Sequence, residues 1–463
     1  MRVTFGGFRW RSARMGWRRK QRVRTALVAG VLLLALVVVL SMCDTADPDK
    51  ATEDHRPVRP VRFGAPPAYD ATRGWDVRGV TDTYAVARTI GSVAVLEDAG
   101  KNRMALRALD VTSGQTRWKG PAFGAGSGSW TRPRLLEVAK GGREFFVVWS
   151  YGDIGTSVLD DRETVVALDI YDAAYGTRRH VEVPWNQPPD VAGGPDILIG
   201  RGSDHAAVMD PTDGKVTKVP AKKLGYPKGC AQCHHDPEIR GITAHGLLVR
   251  GGKDFWVRGG WHGRRKAPKG TDPGSGLPTS VSEDRVLVRW RKKAGSKHAA
   301  DKETWAVHDT KSGKVLASAD CHRPGIEPGR FPEMTFSFSG RYVVAGPLAL
   351  DLEKHKGHCY DESDRSTPGV AGGVDVDPND PAADHGPRPL TLTAVTDAGI
   401  AYGKTTSDDA ASRPLEVTLA TTAARALRPT VHLPGVDVGG YGIFPYTDKE
   451  DVRHLVGRPH RTE

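Results

Sequence analysis

Ala108-Leu109-Asp110-Val111-Thr112-Ser113-Gly114-Gln115-Thr116-Arg117-Trp118 reads as a strand, a tight turn and a returning strand. The Asp carboxylate accepts hydrogen bonds from the backbone amides that follow it, and Gly supplies the position where φ is positive. The same pattern recurs at Val208-Met209-Asp210-Pro211-Thr212-Asp213-Gly214-Lys215 and at Val307-His308-Asp309-Thr310-Lys311-Ser312-Gly313-Lys314. Looser versions run from Ala167-Leu168-Asp169 to Tyr175-Gly176 and from Ala349-Leu350-Asp351 to Lys356-Gly357. Successive aspartates lie 59, 41, 99 and 42 residues apart, and the long step leaves room for another unit around residues 247–256. Steps of about 40–50 residues are what radially repeated four-stranded units produce.

The rest of the body agrees. Short runs of Val, Ile, Leu, Tyr and Trp occupy residues 93–96, 145–149, 165–168, 197–199, 246–249, 286–290, 342–345 and 390–395, each bounded by Gly, Pro, Asp or Ser. Such runs are strands, and helical periodicity is hard to find beyond the N-terminal region. The expected fold class is therefore all-β: a β-propeller of six to eight blades, with seven the central expectation. A strand near residues 84–87 and the last ones near 442–445 and 452–456 are expected to close the ring. Closure leaves only short, protected strand edges.

The unit from Ala108 to Trp118 also resembles the Ala-x-Asp-x-x-x-Gly-x-x-x-Trp docking motif of pyrroloquinoline-quinone (PQQ)-type propeller repeats, with Asp110, Gly114 and Trp118 in the motif positions. The resemblance implies that the Trp of one blade packs on its neighbour. Only this copy is complete; the others keep Asp and Gly without the Trp. Quinoprotein dehydrogenases of that family hold the quinone and a calcium ion in the central channel beside a catalytic Asp. No residue here matches those positions, so no catalytic residue is assigned. The resemblance points instead to relatives that use the repeat as a scaffold.

The termini set topology. The chain carries a formal charge of +11, but nine of its Lys and Arg precede residue 25, where there is no acid. Removing them leaves 57 basic against 55 acidic residues, which gives no broad footprint for nucleic acid. Residues 26–42 contain no ionisable side chain and reach about the 17-residue lower limit for a membrane span. Basic residues stay on the cytoplasmic side. The expectation is a cytoplasmic tail (1–24), a transmembrane signal-anchor helix (25–43), a Pro/Asp-rich linker (44–74) and an extracytoplasmic propeller (75–459), interrupted by a flexible insertion (367–389). Leu40-Ser41-Met42-Cys43 resembles a lipoprotein box, with Met42 where that family has Gly, Ala or Ser. Lipid attachment at Cys43 and simple cleavage are the alternatives to an uncleaved anchor.

Five cysteines in an exported chain suggest two pairs and a remainder. Cys230-Ala231-Gln232-Cys233-His234 matches the c-type haem attachment pattern, in which both thiols bond the haem and the His ligates iron. Three readings stay open: a loop-closing Cys230–Cys233 disulfide, haem c on Cys230, Cys233 and His234, and a zinc site using Cys230 and Cys233 with His234, His235 or His245. Cys321 and Cys359 form the second expected pair, since both follow the Asp-turn-Gly hairpins of adjacent units.

Other signals are weaker. Gly399-Ile400-Ala401-Tyr402-Gly403-Lys404-Thr405 resembles a phosphate loop whose glycines are one residue too close. A calcium-like run from Asp375 places Asp380 where Gly is required and Gly386 where Glu is required. Residues 258–269 make a basic-aromatic loop around Trp261 and His262. No His-Glu-x-x-His or Gly-x-Ser-x-Gly signature is present. The function expected is a membrane-tethered, non-catalytic binding, sensing or scaffold module without a cofactor. Its partners would be the membrane and a cell-envelope protein or wall polymer. A redox protein carrying haem c or PQQ is the alternative.

Overall fold

The computed structural model describes residues 63–462, apart from 102, 125–129, 155–162, 283, 324–330, 362–389 and 406–411. The expected anchor helix, basic tail and insertion at 367–389 lie outside the described residues. Among the described residues, no helix is long and apolar enough to cross a membrane.

Eight antiparallel sheets form an eight-bladed β-propeller. Their first strands are Val80–Ala87, Arg134–Lys140, Asp190–Ala192, Glu238–Thr243, Leu277–Val281, Thr335–Phe336, Leu390–Val395 and Val436–Val438, which begin blades 1 to 8. Burial explains why the strands were readable. A second strand is sandwiched between neighbouring blades and is apolar on both faces: Ser92–Asp98 buries its first five residues in succession. The outermost strand of the same blade, Thr116–Lys119, buries none completely. Each seam between blades is thus a small hydrophobic core, as where Val147, Leu168 and Val183 of blade 2 meet Ile197 and Met209 of blade 3.

The ring closes differently from the sequence expectation. Trp75–Arg78 pairs antiparallel with Arg453–Pro459, so the start of the body supplies the outermost strand of blade 8. The strand containing residues 84–87 instead begins blade 1. Sharing one sheet between both chain ends hides a blade from a count along the sequence, which is why eight appear where seven were the central expectation. The linker assignment to residue 74 also needs shortening. Tyr69 is fully buried against Tyr402 and Phe444, and its hydroxyl donates to Asp437 at 2.8 Å.

Asp-x-x-x-Gly turns join the third and fourth strands of blades 1, 2, 3 and 5. Asp110 Oδ1 accepts from the Thr112 and Ser113 amides, and Gly114 sits at φ +67°. In blade 2 the turn begins at Asp172, three residues after the expected Asp169; Asp169 pairs with Arg178 and His180 along the strands. Three seams share one docking geometry. The indole N–H of Trp75 donates to Val111 O at 2.7 Å, that of Trp118 to Ala173 O at 2.9 Å, and that of Trp261 to Thr310 O at 2.8 Å. Each acceptor immediately follows a turn Asp, and each ring covers the turn Gly: Gly114, Gly176 or Gly313.

A Cβ on Gly114 would sit 2.4 Å from Trp75 Cγ, whereas one on Gly91, at φ +60°, meets nothing within 4 Å. Gly114→Ala therefore combines strain with a lost seam and is expected to cost about 2–3 kcal/mol. Gly91→Ala carries the strain alone, about 1 kcal/mol. Urea unfolding of the two variants checks the difference, and equal costs would refute the seam argument.

Candidate functional site

Because successive strands of a blade alternate in direction, the ring has two ends. Turns joining strands one to two and three to four lie at the end carrying the Asp-x-x-x-Gly turns, here called the lower end. Connections between strands two and three, and between blades, lie at the upper end. At the lower end Arg88, which follows the first strand of blade 1, donates to Phe336 O (3.0 Å) and Ser337 O (3.2 Å) of blade 6. Those blades are not neighbours, so this side chain spans the axis. Burial pulls its pKa down, while Glu137, Asp437, Asp397 and Glu144 act in the opposite direction.

The upper end is rich in arginine. Second strands end on or beside Arg201 in blade 3, Arg250 in blade 4, and Arg289 and Arg291 in blade 5, while Arg323 follows the last strand of blade 5. Acids offset some of this charge. Arg201 holds Asp190 through two contacts of 2.6 and 3.3 Å, and Glu238 lies 2.5 Å from Arg240 and 3.6 Å from Arg250. Glu303 lies 3.9 Å from Arg289 and 4.0 Å from Arg323, while its Oε1 accepts the Trp305 indole N–H. The Arg289 guanidinium also lies over Phe331 at 5.3 Å. Burial lowers the Arg289 pKa; Glu303 opposes this, and Arg291, Arg323 and Arg250 lower it further. Positive charge is thus concentrated and only partly neutralised, which is the electrostatic character of an anion-binding mouth.

The expected cysteine residues are also at the upper end. Cys230 and Cys233 form a disulfide within the connection from blade 3 to blade 4, and Cys321 and Cys359 link the last strands of blades 5 and 6. With both sulfurs in that bond, neither is a free thiol for haem attachment. His234 stacks on Tyr226 with ring centroids 3.9 Å apart. His235 is exposed, and its carbonyl accepts from Gly252 N. His245 occupies the first turn of blade 4, at the lower end, away from the cysteines. The donors that the fold does gather with Cys230 and Cys233 are Asp254 and His262. Neither stands in a ligand pattern in the sequence, where His262 is marked only by its basic-aromatic loop. The phosphate-loop-like run forms a plain strand, Ile400–Thr405, and the calcium-like run lies outside the described residues.

No protein-family model matches this sequence, and a search of curated proteins finds no match. Similar solved structures include dipeptidyl peptidase 4 of Porphyromonas gingivalis, at 10% identity and TM-score 0.40, covering 80% of this chain and 56% of that one. A prolyl endopeptidase is 12% identical with TM-score 0.34, covering 84% of this chain and 47% of that one. The β-propeller domain of the Trilobed protease from Pyrococcus furiosus is 13% identical with TM-score 0.30, covering 72% and 99%. The chain spans about half the length of the first two proteins. At these identities the likeness is one of fold.

Proposed function

We propose that this protein is a non-catalytic binding module held at the outer face of a membrane, and that its upper end engages an anionic cell-envelope polymer. The observation carrying the reading is the set of upper-end arginines that act on one another's charge, Arg289 with Arg250, Arg291 and Arg323, against which Glu303 and Glu238 are the acids within 4 Å. Residues 26–42, behind nine basic residues, support a single-pass tether with the N-terminus in the cytoplasm. The indole-to-carbonyl docking at three seams supports kinship with the PQQ-type repeat, used here as a scaffold. The reading requires no cofactor.

Binding of a phosphate-rich envelope polymer, measured by calorimetry at two salt concentrations, tests it. The combined Arg250→Ala and Arg289→Ala variant is expected to bind at least about tenfold more weakly, with a shallower salt dependence. Unchanged affinity would refute the assignment of this face.

A further inference from the structure

We infer that Cys230, Cys233, Asp254 and His262 form a redox-gated zinc site at the edge of blade 4: closed by the disulfide when oxidised, and a four-ligand metal site when reduced. The two sulfurs, a carboxylate oxygen and an imidazole nitrogen all lie within 4.8 Å of one another. Metal–ligand distances of about 2.0–2.3 Å place the donors of a tetrahedral zinc site about 3.3–3.8 Å apart, so opening the S–S bond is the principal rearrangement needed.

The surroundings show a built site. Asp254 is 1% exposed; its Oδ1 accepts from Phe255 N, but its Oδ2 makes no hydrogen bond. His262 Nε2 lies 2.7 Å from that oxygen and is likewise without a hydrogen bond, since the two are not aligned for one. Buried polar atoms ordinarily find partners, so two facing orphans beside a sulfur pair point to a ligand they share. Charge also balances. Two thiolates and Asp254 carry three negative charges, offset by zinc and by Arg264, whose Nε lies 3.4 Å from Asp254 Oδ2.

The cysteine segment is fitted to this blade by two glycines. A Cβ on Gly251 would meet Cys233 O at 2.1 Å, and one on Gly252 would meet Gln232 O at 2.5 Å. The short turn Ala231–His234 therefore rests directly on the backbone joining the second and third strands.

Opening requires a two-electron reductant, for which a dithiol serves. A thiolate of the dithiol attacks the sulfur of Cys230, the less completely buried residue of the two, forming a mixed disulfide and releasing Cys233 as a thiolate. The second thiol of the dithiol, deprotonated, then displaces Cys230, leaving an oxidised dithiol and two reduced cysteines. Zinc binding displaces the protons remaining on the two thiols.

Cobalt(II) titration of the full chain in detergent, before and after reduction with a trialkylphosphine, tests the site. The reduced chain is expected to bind cobalt with thiolate charge-transfer and tetrahedral d–d bands, which zinc abolishes; the oxidised chain shows neither. Asp254→Asn, which keeps the side chain's shape, and His262→Gln, at a partly exposed position, should each weaken binding at least about tenfold. His235→Ala should leave it unchanged. Circular dichroism of each variant reports folding, so a loss of binding in a folded protein is attributable to the ligand. Absence of the bands in the reduced wild type would overturn the proposal. Bands unaffected by both ligand variants would also overturn it, assigning the thiolates to Cys321 and Cys359.

Discussion

Replacing Cys321 and Cys359 together by alanine is expected to lower the unfolding free energy by about 4 kcal/mol. The two residues are 38 apart in sequence, and their bond joins the outermost strands of blades 5 and 6. Chain entropy in the unfolded state sets the scale: a cross-link across a loop of this length removes about 4 kcal/mol of conformational freedom that folding would otherwise have to overcome. The Cys230–Cys233 bond closes a separation of only 3, for which the same relation gives about 2 kcal/mol. The variant should still fold. His322 donates both its backbone N–H and Nδ1 to Asp361, and Cys321 and Cys359 share a core with Trp305, Leu348 and Leu350. Urea unfolding of the oxidised wild type and the double variant measures the cost. A difference below about 1 kcal/mol would show that the unfolded chain is already restricted in this region. The smaller cost at Cys230–Cys233 is also why a role beyond stability fits that pair better.

What the sequence revealed follows from how local each feature is. The Asp-x-x-x-Gly turn is made by consecutive residues, so Asp110, Asp210 and Asp309 could be recognised without knowing the fold. Blade 7 lacks that chemistry: its equivalent turn places Thr422 at φ +58°, with no Asp or Gly to mark it. Docking was only partly legible because an indole and its acceptor belong to different blades. The three donors precede their carbonyls by 36, 55 and 49 residues. Trp118 happens to stand at the motif position within its own hairpin; Trp75 lies before blade 1, and Trp261 follows Asp254–Val257, the last strand of a three-stranded sheet. The cysteine site shows the same limit. Cys230 and Cys233 announce themselves by spacing, but Asp254 and His262 join them only because the connection from blade 3 folds back over blade 4.

His308 is expected to make the protein less stable as pH falls from 7 to 4.5, by about 2 kcal/mol. Its ring is fully buried between Trp261 and Trp290, with Nδ1 donating to Gly313 O at 3.0 Å and Nε2 accepting from the Trp290 indole at 3.2 Å. Both nitrogens are used by the neutral ring, so a second proton has no acceptor. Burial pushes the pKa down to about 4, against the small upward pull of the Gly313 carbonyl. The unfolded chain takes up this proton near pH 6.5, whereas the folded chain resists it until near pH 4. The contribution is therefore complete above 6.5, declines as pH falls through the interval, and is lost below 4. Other histidines also titrate in this range: burial lowers His432 in the same sense, while Asp169 and Glu182 raise His180 against its burial. Comparison with His308→Gln separates them, because glutamine can accept from Trp290 and donate to Gly313 without titrating. Subtracting the variant's pH dependence from that of the wild type should isolate the 308 contribution. Parallel profiles would mean that His308 gains its proton without disturbing the seam between blades 4 and 5, contrary to the burial and hydrogen bonding that hold it neutral.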